Sequence, residues 1–144
     1  MTHFRLRPHG TSKHITVRVF DTKDKMYAYH RGFASRTGKD LGKLNYIGLF
    51  MGYEREKQVG EEWKKMDDIG TVLLVRGYMW PWVVNHELGH AALHFERIAY
   101  GNKRACMGLG IGKVEERMLH TLSSLLEGFY DKMDISWAGK DQGK

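Results

Sequence analysis

The sequence contains a single cysteine, Cys106. No intrachain disulfide can form, and a zinc knot built from four cysteines is excluded. Long apolar runs are also absent. No stretch approaches the ~18 apolar residues of a membrane span, and the opening segment, Met1 to Pro8, lacks the apolar core of a signal peptide. These absences predict a protein of the cytoplasm with no membrane association. Hydrophobic residues at 42% and charged residues at 28% lie well away from the composition of disordered chains. A length of 144 residues suits one contiguous core, expected over residues 1–135, with 136–144 a loose polar tail.

The net charge is +6. Basic residues alternate with acidic ones through Asp21–Lys25 and Glu54–Lys65, the pattern of a solvated surface rather than a phosphate-binding stripe. This counts against nucleic acid as the main partner without excluding it, and the oligomeric state is left open.

Alternating Ile15, Val17 and Val19 predict a half-buried strand. The turn-forming run Asp21 to Asp24 then suggests a hairpin with a second strand at Met26 to Arg31. Residues 32–43 read as a loop, Leu44 to Tyr53 as a glycine-interrupted strand, and Gly60 to Asp68 as a short helix or surface excursion. Thr71 to Val75 is a continuous apolar run between glycines, typical of an interior strand, which leaves Leu44 to Tyr53 as the candidate edge of a cleft. Pro81 suits the first turn of a helix reaching about Tyr100, and a second helix is expected from Lys113 to about Lys132. Tyr78, Trp80 and Trp82, just ahead of the first helix, are expected to pack as core or support.

His86-Glu87-Leu88-Gly89-His90 is an HExxH pattern. Histidines four apart on a helix lie one turn apart on one face, so both imidazoles can reach one tetrahedral ion at ~2.0–2.1 Å per bond. Glu87 flanks the same face, where it can deprotonate a water activated by that ion. The bland alternative is a pair of core histidines. Against it, a helix face burying two imidazoles and a carboxylate without an ion would carry unpaired polar groups at ~1–3 kcal/mol each.

A catalytic ion needs a third protein ligand. His94 lies too far along the helix axis at 1.5 Å per residue to share the ion, and is expected in the cleft or behind the ligands. Cys106 is a minor candidate. On a helical wheel Glu115 falls near the centre of the arc formed by Met118, Leu119, Leu122, Leu125, Leu126 and Phe129, with Glu116 well off it. Glu115 is therefore the expected ligand and Glu116 its alternative. The Gly108 to Gly112 connection between the helices reads as flexible, and as a lid.

The runs His86 to His94 and Val114 to Leu126 resemble the active-site helix and the glutamate-bearing helix of the gluzincin metallopeptidases, and among them the ImmA/IrrE-like peptidases of bacteria and phages. The resemblance covers about a third of the chain. It implies an α+β zincin-like fold, with a small, mostly antiparallel sheet packed on the HExxH helix and a second ligand-bearing helix. It further implies Zn2+ held by His86, His90 and Glu115, Glu87 as general base, and cleavage of a protein or peptide substrate. The residue four after the ligand glutamate departs from that pattern: Leu119 follows Glu115, and His120 follows Glu116. Peptide deformylases take an upstream cysteine and metzincins a third histidine at fixed spacing; neither is present. The rival reading is a non-catalytic zinc-containing protein-binding module, of phage or mobile-element type.

Overall fold

The computed structural model describes residues 1–106 and 111–142, with side chains at 1–99 and 115–133. β1 (Thr2–Leu6) and β2 (His14–Phe20) form an antiparallel pair. Helix α1 (Lys23–Ser35) follows, where a second hairpin strand was expected. The correction has a local cause. Thr22 is extended and its hydroxyl accepts the Lys25 N–H, so the Asp21 to Asp24 run is a helix N-cap with Asp24 in the first turn, and not a hairpin turn.

β3 (Gly48–Gly52) is the expected third strand in shorter form. Gly60 to Asp68, expected as a short helix or a surface excursion, holds no helix: it carries β5 (Glu62–Lys65), which pairs with β4 (Glu56–Val59) in a ribbon exposed throughout, and ends at the start of the next strand. β6 (Asp68–Val75) lies in the interior of a mixed four-stranded sheet of order β1-β2-β6-β3, parallel to β2 and antiparallel to β3. Its continuous apolar run follows from this place: Val72 and Leu74 pack into one core and Leu73 and Val75 into another.

After a 3-10 turn at Arg76–Tyr78 come α2 (Pro81–Cys106) and α3 (Ile111–Gln142). Both run past the expected ends, and α3 reaches Gln142, inside the segment expected to be a loose tail. The lid reading for Gly108 to Gly112 falls mainly on 107–110, outside the described residues. The sheet is covered on both faces. Ile15, Val17 and Val19 meet Val84, Leu88 and Ala91 of α2 and Leu125, Phe129 and Met133 of α3. On the opposite face Phe20, Leu73 and Val75 meet Met26 of α1 with Leu49 and Met51 of β3. Each fully buried side chain of this kind contributes ~1.5–3 kcal/mol. The fold is α+β, and among the described residues no helix is long and apolar enough to cross a membrane.

Candidate metal centre

His86 and His90 lie one turn apart on α2. Their rings are perpendicular, at 89° with centroids 4.6 Å apart, and the two Nε2 atoms face each other at 3.1 Å. Two donors on one tetrahedral ion at ~2.0–2.1 Å per bond stand ~3.3–3.4 Å apart. The rings need separate by only a few tenths of an ångström to admit one, so the donor set fits. Ligand atoms of His86, Glu87 and His90 all fall within 4.8 Å of one another. Both imidazoles are exposed, a correction to the expectation of a buried histidine face, whereas Glu87 is 6% exposed.

The carboxylate is buried because β3 lies over it. A Cβ placed at Gly48 would sit 3.0 Å from Val83 Cγ1 and 3.2 Å from Glu87 Cγ, so glycine is what lets the strand approach this closely. Burial raises the Glu87 pKa; the two neighbouring imidazoles and a hydrogen bond donated by the Phe50 N–H oppose the shift.

That hydrogen bond also shows which way β3 presents its backbone. The Tyr53 N–H donates to Ile69 O of β6 at 3.0 Å, and hydrogen-bonding direction alternates along a strand. Gly48, Phe50 and Gly52 therefore turn their N–H and C=O groups away from β6, toward the free edge and α2. As expected, the edge of the cleft belongs to the Leu44 to Tyr53 segment and the Thr71 to Val75 strand is interior.

His94 stands in the cleft wall. Its Nε2 bonds Ile69 O at 2.8 Å, which fixes the proton on that nitrogen, and its ring meets Phe50 at 5.6 Å. A cleft of about 490 Å3 is lined by Leu49, Phe50, Gly52, Glu87, His90, Leu93, His94 and Arg97. Arg97 and Leu93 were not singled out from the sequence, although continuing the helical period from His86 and His90 brings both onto the histidine face.

No family model, curated protein or solved structure matches this chain. The possible metal site accordingly rests on its own geometry.

Among the described residues the second helix brings no carboxylate into the group. Glu115 is exposed, contrary to the expectation that it lies at the centre of a packing face. Core packing on α3 is concentrated at Leu125, Phe129 and Met133, and Leu119, in the same arc as Glu115, is 52% exposed. Glu116 is exposed and pairs with His120 at 3.2 Å. The buried acid at this level is one the sequence reading passed over: Glu96 of α2, 4% exposed, which accepts two hydrogen bonds from the Arg117 guanidinium of α3. Cys106 ends α2, and its side chain lies outside the described residues.

Proposed function

We propose that the protein is a zinc-dependent peptidase in which His86 and His90 hold the metal and Glu87 is the general base. One observation carries the reading: two convergent imidazole nitrogens flank a buried carboxylate beside an open strand edge. Zinc, when bound, acidifies water from ~15.7 toward ~7 and polarises a carbonyl. Glu87 takes a proton from the attacking water at its carboxylate and returns it to the leaving nitrogen as the C–N bond breaks. The Phe50 N–H orients that carboxylate. The outward groups of Gly48 and Gly52 are placed to hold an extended substrate backbone by strand addition.

The third ligand in this proposal is Glu115, with Glu116 its alternative. Glu115 has no ion-pair partner among the described residues, and joining the site requires it to move along α2 toward His90 from the level of the Glu96–Arg117 pair. The exposure of both glutamates is the specific observation favouring the second reading, a zinc-holding module without turnover.

Zinc content together with cleavage of a peptide library separates the two. The peptidase reading expects one zinc per chain. Glu87→Gln should keep the zinc and lose cleavage by ~10²–10⁴-fold, while His86→Ala should lose the zinc. Undiminished cleavage by Glu87→Gln would remove Glu87 as base, and stoichiometric zinc in His86→Ala would remove the clamp. Of Glu115→Ala and Glu116→Ala, the variant with weakened zinc affinity identifies the ligand.

A further inference from the structure

Trp80 and Trp82 were expected to pack as core or support, yet they are 47% and 63% exposed. They are nonetheless ordered against each other. Their rings stack at 6.0 Å and 25°, and Tyr78 meets Trp80 edge-on at 5.6 Å. The backbone beneath is pinned, because Met79 is buried and Trp80 O accepts the Val83 and Val84 N–H groups that start α2. A stacked, solvent-facing aromatic pair on a fixed backbone is a surface suited to receiving an apolar group.

Its position says what that group belongs to. Trp82 precedes His86 by four residues, so it lies one turn earlier on the same face of α2. The row continues through His86 and His90 to Arg97 at the far end of the cleft. β3 runs alongside in the same direction as α2: Gly48 abuts Val83 and Glu87, the Phe50 N–H reaches Glu87, and Gly52 abuts His94. A peptide adding antiparallel to the free edge of β3 must therefore run from the His94 end toward the Val83 end. With the reacting carbonyl beside Glu87, the chain beyond the scissile bond lies toward Trp82.

We infer that the Trp80–Trp82 stack is a substrate subsite taking a large apolar or aromatic side chain on the C-terminal side of the bond that is cut. This rests on the peptidase reading for the bond-breaking step, but the subsite can be tested by binding alone.

Two measurements test it. Zinc-loaded wild type is given a defined mixture of peptides carrying Phe or Ser either just before or just after candidate bonds, and the cut positions are mapped by mass spectrometry. Binding of the same peptides to the Glu87→Gln protein is followed by tryptophan fluorescence. Phe after the bond should be favoured over Ser by at least tenfold, within the roughly 10- to 200-fold discrimination one apolar pocket provides. Trp82→Ser should reduce that ratio below twofold and Trp80→Ser should reduce it partway. Both residues are exposed, so neither change disturbs the core.

Cleavage without preference, preference for Phe before the bond, or a preference that survives both substitutions would overturn the subsite while leaving the peptidase standing. Absence of cleavage, with Phe-selective and Trp82-dependent binding to the Glu87→Gln protein, would uphold the subsite and sink the peptidase. A change of oligomeric state in Trp82→Ser with unaltered peptide selectivity would assign the stack to contact between copies and overturn the proposal.

Discussion

At Gly48 the strand lies too close to α2 to admit a methyl group without a shift of its neighbours. A Cβ there would meet Val83 Cγ1 at 3.0 Å and Glu87 Cγ at 3.2 Å. Val83 is β-branched, stiff at χ1 and buried, so it yields little, and the displacement falls on Glu87 and its bond to the Phe50 N–H. Gly48→Ala is expected to cost roughly 1–3 kcal/mol of stability, the usual range for overpacking. If the proposed peptidase chemistry holds, it should also lower turnover at saturating peptide by tenfold or more. Zinc content should not change, because His86 and His90 do not touch Gly48. Urea unfolding, metal analysis and steady-state rates on one preparation check all three. Wild-type turnover in Gly48→Ala would show that the strand does not position the carboxylate.

Elements with strong local signals were legible in the sequence, and those fixed by distant partners were not. The period of β2, the two-sided apolar run of β6, Pro81 and the HExxH spacing each act within a few residues, and each element is present. β1 escaped because it carries few apolar residues, chiefly Phe4 and Leu6, and owes its form to pairing along β2. α1 escaped because Thr22 serves a turn or a cap equally well, and only the Lys25 N–H decides which. The same limit applies at the site: helical spacing brought His86, Glu87 and His90 together, but how far α3 packs along α2 is a property of the pair. Glu96 and Arg117 mark that packing. Arg117→Met leaves a 4% exposed carboxylate without the guanidinium that bonds it, and should cost roughly 1–3 kcal/mol. Adding Glu96→Gln should restore part of the loss, as a double-mutant cycle in urea would show. Additive losses would mean that the pair does not join the helices energetically.

For the molecule as a whole, two histidines away from the metal group set a pH limit. Burial lowers the His14 pKa; Arg5 and Arg7 act in the same direction and Asp68 and Asp67 against it. Its Nδ1 is buried with no hydrogen-bond partner among the described residues. Burial, with Arg31, also lowers the His30 pKa. His30 Nδ1 bonds the hydroxyl of Tyr46, whose own pKa burial pushes to about 12. The hydroxyl therefore stays protonated and donates, and the imidazole accepts only while neutral. In the unfolded chain both histidines titrate near ~6.5, so just below that pH the unfolded state binds more protons than the folded one. Their contribution is complete above ~6.5 and is lost as pH falls from there toward the folded values. With chelator present, so that metal release adds nothing, the urea midpoint should decline between pH 7 and pH 5 more gently in His14→Gln/His30→Gln than in wild type. Parallel declines would mean that these two rings are not what makes the fold sensitive to acid.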